Sequence, residues 1–254
     1  MHSPIGVLAF VVLFSVVAAP ARAADIPPYI AAAVADPARP AADVARDAER
    51  KPAETLAFAG IKPGDRVLEL VPAGGYYTRI LSRLVGPAGN IYAFTPSEIL
   101  KVFPDAANSS RMIASDPQYS NVSVLVMPTT AMVLPRNLDA VWTTQNYHDL
   151  HLAKFFPNLD MHVFNKAMFA ALRPGGLYFV SDHDAEPGSG LRDNKLHRID
   201  SELVRDEVRE AGFTFDGETD LLRDAGDPHT ASVFDASIRG HTDQFTFRFR
   251  RPAR

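Results

Sequence analysis

The stretch Val67-Leu68-Glu69-Leu70-Val71-Pro72-Ala73-Gly74-Gly75-Tyr76-Tyr77-Thr78 decides how this chain folds. Residues 67–70 suit a buried strand and carry one carboxylate, Glu69. Two glycines follow, and residues 77–84 then read as a helix. A strand that runs through a tight glycine turn into a helix brings backbone N–H groups and a helix N-terminus against a ligand at the edge of an open α/β sheet.

The same alternation extends on both sides of this unit. Residues 41–60 read as helical, with a fresh start at Pro52. The turns Lys62-Pro63-Gly64-Asp65 and Gly86-Pro87-Ala88-Gly89 bracket the strand and its helix. Further strands are expected at 90–94, 122–127, 138–143 and 176–181, the last after a helix over 161–172. A helix over 198–211 ends at Gly212, and 214–222 reads as another strand. Gln244-Phe245-Thr246-Phe247-Arg248-Phe249-Arg250 alternates strictly, which points to an antiparallel strand with one buried face. Arg248, Arg250, Arg251 and Arg254 read as the wet side of an outer strand and its tail. These elements predict an α/β fold, a doubly wound, mainly parallel seven-stranded sheet with an antiparallel C-terminal strand.

Composition narrows the classes of partner. The 254 residues carry 26 Lys and Arg against 30 Asp and Glu, a net charge of −4. That balance gives no reason to expect nucleic acid. There is no cysteine, so no disulfide holds the fold. Residues 5–17 are almost wholly apolar and precede Ala21-Arg22-Ala23-Ala24, which reads as a signal-peptide cleavage site between Ala23 and Ala24. The expected organisation is therefore a signal peptide (1–23), an extended Ala/Pro-rich leader (24–40) and a single domain (41–254). The protein is expected to be exported to the periplasm or secreted, with no stable membrane insertion after cleavage.

Four segments carry a family resemblance. Besides 67–78, these are Ala171-Leu172-Arg173-Pro174-Gly175-Gly176-Leu177-Tyr178-Phe179-Val180, Leu138-Asp139-Ala140-Val141-Trp142 and Glu210-Ala211-Gly212-Phe213. Taken in their order along the chain, they resemble the class I S-adenosylmethionine-dependent methyltransferases. The Gly-Gly-Tyr-Tyr-Thr and Thr-Asp-Gln-Phe segments are similar to a bacterial subgroup of often exported methyltransferases. The resemblance implies S-adenosylmethionine as cofactor, held by Glu69, Gly74, Gly75, Tyr76 and Thr95. The chain departs from the family where Val71 and Ala73 replace two glycines. Thr95 replaces the acid that holds the ribose hydroxyls, and Glu98 lies one turn away as a substitute.

Acceptor chemistry points to two polar loops at the carboxyl edge of the sheet. Residues 143–151 offer His148 and Asp149, and Ser181-Asp182-His183-Asp184 offers His183. These three are the expected catalytic groups, as base or as groups that orient the acceptor. His197 and Arg198 are read as the start of the following helix. No metal ligand is assigned, although His148 and His151 with Asp182, His183 and Asp184 form the alternative donor set for zinc or another divalent ion. There is neither a G-x-S-x-G elbow nor a cysteine nucleophile, which disfavours the common hydrolases. The expected function is methyl transfer to a small-molecule acceptor. The alternative is an exported, non-catalytic binding protein on a degenerate methyltransferase fold.

Overall fold

The computed structural model describes residues 26–253, so the expected signal peptide lies outside them. The Ala/Pro-rich stretch is not extended. Pro28–Val34 forms helix α1, begun by a proline whose fixed φ suits a first turn. Ile30 and Ala33, three apart on one face, are buried against the helices that follow. Two short helices come next, α2 (Ala41–Val44) and α3 (Asp47–Arg50). Lys51, left-handed at φ 41°, separates α3 from α4 (Pro52–Ala59).

Seven strands form one sheet in the order β3-β2-β1-β4-β5-β7-β6. They are β1 (Arg66–Leu70), β2 (Asn90–Pro96), β3 (Val122–Met127), β4 (Leu138–Thr144), β5 (Leu172–His183), β6 (Thr214–Glu218) and β7 (Gln244–Arg250). β7 runs antiparallel to both of its neighbours, and the other pairings are parallel. The expected architecture is thus the observed one. The last strand is not an outer strand, however, because β6 takes the edge and β7 lies inside it. Its arginines are accordingly engaged: Arg248 donates to the carbonyl of Phe58 at 2.8 Å, and Arg250 to the carboxylate of Asp216 on β6 at 2.9 Å.

Helices cover both faces. On one, α1, α4, α5 (Tyr76–Val85) and α6 (Asn108–Ser115) pack over Val67, Ile91, Trp142 and Phe179. Trp142 stacks on Phe179 with centroids 4.0 Å apart. On the other face, α7 (Met161–Ala171) and α8 (Ser201–Glu210) cover Leu68, Phe94, Val141, Tyr178 and the three phenylalanines of β7. Successive β1 residues point to opposite layers, as strand alternation requires. Among the described residues, no helix is long and apolar enough to cross a membrane.

Candidate functional site

The strand order reverses between β1 and β4, and open α/β sheets hold ligands in the crevice beyond the strand ends at such a point. The turn after β1 lies there. Val71 stands at φ 46°, Ala73 at 50° and Gly75 at 81°. A left-handed conformation costs an L-residue about 1–2 kcal/mol. Val71 and Ala73 therefore keep the backbone shape glycine would take. Ala73 and Gly74 face solvent, and a Cβ built on Gly74 would meet nothing within 4 Å. The turn is anchored from behind, where Arg79 donates to the carbonyls of Gly74 (3.0 Å) and Gly75 (3.2 Å) and pairs with Asp43 on α2 at 2.9 Å.

The other expected cofactor residues divide into three groups. Glu69 is buried under the turn and accepts the Thr78 hydroxyl at 2.6 Å. Burial pushes its carboxyl up to about 7, against the hydrogen bonds from Thr78 and the charges of Arg50 and Arg79. The Tyr76 side chain turns toward α3, where its hydroxyl donates to Asp47 at 2.6 Å and its ring lies 4.7 Å from the Arg50 guanidinium. At the end of β2, the buried Thr95 hydroxyl has no partner among the described residues. Glu98 accepts the Thr129 amide (2.8 Å) and hydroxyl (2.7 Å) on one oxygen, while its other oxygen is buried and unpartnered. Buried polar atoms are ordinarily satisfied, so these two unpartnered oxygens near the end of β2 suit hydroxyl donors from a ligand.

The carboxyl ends of β4, β5 and β7 frame a second region. Gln145, left-handed at φ 57°, accepts from Arg50 and donates to Gln244 at 3.1 Å. These residues line a cavity of 730 Å³ with His183, Phe234 and Thr242. His183 Nδ1 lies 2.8 Å from the Thr242 hydroxyl. Burial, opposed by Asp182, draws the His183 pKa down to about 4, so its ring is neutral near pH 7.

His148 and Asp149 stand next to this cavity on a 3-10 turn. Asp182 accepts the His148 backbone amide on one oxygen and its Nδ1 on the other, both at 2.8 Å. His148 Nε2 lies 3.1 Å from His197 Nδ1 and 3.4 Å from Asp149 Oδ1, and the His197 and Asp149 atoms are 3.2 Å apart. Burial opposes the charge on His148, but Asp182 and Asp149 outweigh it and hold the pKa up at about 10. Asp149 is half-buried, which opposes its charge, yet the two imidazoles keep its carboxyl well below the usual range.

The structure thus brings His148, Asp149 and His183 to one edge and regroups the alternative donor set. His151 pairs with Glu207 at 3.1 Å, and Asp184 with Arg223 at 2.6 Å. His197 joins His148 instead. Neither it nor Arg198 opens a helix: α8 begins at Ser201, His197 is left-handed at φ 59°, and Arg198 is buried in an ion pair with Asp227. Arg50, Thr242 and Gln244 are site residues that sequence reasoning missed. Arg50 reads as the wet side of a helix, and only its meeting with Gln145, 95 residues away, reveals it.

No protein-family model matches the chain. Over 68 residues it is 34% identical to the protein-L-isoaspartate O-methyltransferase of Ignicoccus hospitalis, a match covering 27% of this chain and only 29% of that protein. Solved structures superpose more widely. A SAM-dependent methyltransferase from Aquifex aeolicus aligns over 80% of this chain and 88% of its own, with a TM-score of 0.56 and 18% identity. Geranyl diphosphate C-methyltransferase from Streptomyces coelicolor, solved with Mg2+, geranyl diphosphate and S-adenosyl-L-homocysteine, aligns over 87% of each chain at a TM-score of 0.57 and 15% identity. The chain has the fold of the S-adenosylmethionine-dependent methyltransferases.

Proposed function

We propose that this protein is a methyltransferase that binds S-adenosylmethionine on the turn after β1 and serves a small-molecule acceptor in the cavity over β4, β5 and β7. The observation that carries this reading is the left-handed backbone at Val71 and Ala73. Strain kept at a ligand-binding position without glycine to relieve it marks a backbone shape with a use. The oxygens at Thr95 and Glu98 fit the ribose hydroxyls, and the open side of Gly74 fits close approach to the methionyl part. Glu69 beneath the turn favours the ammonium group.

The bound cofactor supplies an activated methyl carbon on a sulfonium sulfur. The chain's own part is to align the acceptor with it and keep water out. Gln145, His183, Thr242 and Gln244 offer the polar contacts for this. Arg46, Arg50 and Arg239 against the single carboxylate of Glu49 favour an acceptor that carries negative charge. We further propose that the protein is exported, as its N-terminal sequence and its resemblance to the exported subgroup suggest. The mature chain should then begin at Ala24.

Calorimetric titration with S-adenosylmethionine and S-adenosylhomocysteine tests the central claim. Saturable binding is expected, and it should be lost in Gly74→Leu with the melting temperature unchanged. Absence of binding at millimolar ligand would overturn it.

A further inference from the structure

We propose that His148, Asp149 and His197 form the binding site of one divalent transition-metal ion of the zinc class. This goes beyond the methyltransferase reading and stands on side-chain geometry alone. His148 Nε2, His197 Nδ1 and Asp149 Oδ1 make a nearly equilateral triangle with edges of 3.1, 3.2 and 3.4 Å. Donors held at about 2.0–2.1 Å from a tetrahedral zinc ion stand about 3.3 Å from one another. The triangle therefore needs almost no movement to accept an ion.

Two further observations separate this cluster from an ordinary knot of hydrogen bonds. Asp149 Oδ1 is buried and takes no well-directed hydrogen bond, although two ring nitrogens lie within 3.4 Å of it. The outer shell is also built. Asp182 holds Nδ1 of His148, which directs Nε2 into the triangle, and its second oxygen fixes the same residue's backbone amide. A carboxylate behind the ligating histidine is the usual way to orient such a ligand and raise its basicity. His197 is held by its left-handed backbone and by the edge-on Phe234 ring, with centroids 4.8 Å apart.

Two imidazole nitrogens and one carboxylate are borderline donors that suit zinc, cobalt, nickel or ferrous iron better than magnesium or calcium. Three protein ligands leave at least one position for water or an oxygen-bearing molecule, as in open rather than structural sites. Phe234 lines the 730 Å³ cavity as well, so the cluster lies at the wall of the proposed acceptor site.

The test is metal uptake, which reads out independently of S-adenosylmethionine. Full-length protein stripped with a chelator is titrated with Co2+ and followed by its visible d–d absorption. One equivalent should bind, and Zn2+ should bleach the colour. Asp149→Asn and His197→Gln alter partly exposed side chains and should keep the native circular dichroism. Each should weaken Co2+ binding on the order of 100-fold, and Asp182→Asn by about 10–100-fold. His151→Gln, on the same turn but paired with Glu207, should bind as the parent does. A natively folded parent that takes up no cobalt would overturn the proposal, as would uptake unchanged in both ligand variants. Cofactor calorimetry on the stripped protein keeps failure here distinct from failure of the methyltransferase reading.

Discussion

The side chain of Ile113 on α6 fills the space that a Cβ on Gly75 would need, and Gly75 itself stands at φ 81°. Its role is set by packing as well as by the turn. Gly75→Ala should cost about 2–4 kcal/mol, combining left-handed strain with overpacking against Ile113. Gly74→Ala should stay within about 0.5 kcal/mol. Urea unfolding of the two variants checks this, and equal losses would show the steric account to be wrong. Ligand effects at Gly75 are entangled with folding, which is why Gly74→Leu is the cleaner probe of the cofactor site.

Ala73 tests the strain itself. Its left-handed backbone faces solvent, so no packed side chain is lost on shortening it. Glycine removes about 1–2 kcal/mol of strain but adds entropy to the unfolded chain, leaving a net gain of about 0.5 kcal/mol. Ala73→Gly should therefore raise the urea midpoint slightly and leave cofactor binding intact. A loss of stability would mean that the turn is not strained at this residue.

The sheet was legible because its signals are local. Turn residues, a glycine pair and the Phe245-Phe247-Phe249 alternation each report on their own neighbourhood. Helix α1 was hidden because four prolines in residues 24–40 dominate the reading, while the burial that stabilises it comes from α4 and α5. The inner place of β7 was hidden for a related reason, since a one-face alternation is the same for an edge strand and an inner one. The two carboxyl-edge loops lie side by side, which brings His148, Asp149 and His183 to one edge. Their partners were not legible. Arg50, His197 and Thr242 meet Gln145, His148 and His183 across 95, 49 and 59 residues of chain, contacts that no spacing rule encodes.

Glu69 predicts two pH dependences of opposite sign. Burial raises its carboxyl from 4.5 to about 7, so the folded chain keeps a proton that the unfolded chain releases. Its contribution to stability is full below about pH 4.5 and declines as pH rises through 7, by on the order of 3 kcal/mol. Cofactor affinity runs the other way if the ammonium group selects the carboxylate, rising about tenfold from pH 6 to pH 8. Glu69→Gln should flatten both trends. Urea unfolding across pH and calorimetry in buffers of different ionisation enthalpy measure them. A proton taken up rather than released on cofactor binding would exclude this role for Glu69.

Arg198 and Asp227 form a fully buried two-pronged ion pair, with Nη1 to Oδ2 at 2.8 Å and Nη2 to Oδ1 at 2.9 Å. The pair also organises the irregular segment between β6 and β7. Arg198 donates to the carbonyls of Asp184 (2.9 Å) and Ala231 (3.0 Å), and Asp227 accepts the amides of His229 (3.0 Å) and Asp243 (2.7 Å). Val233 and Phe234, which wall the cavity, belong to that segment. Removing one member leaves a buried charge without compensation, at a cost of about 3–5 kcal/mol. Arg198→Met should therefore loosen this segment first and the sheet afterwards, because the strands keep their own ladder. Limited proteolysis should cut between residues 219 and 243 well below the global unfolding temperature. Cleavage that appears only with global unfolding would show that the ion pair supports the whole fold rather than the cavity wall.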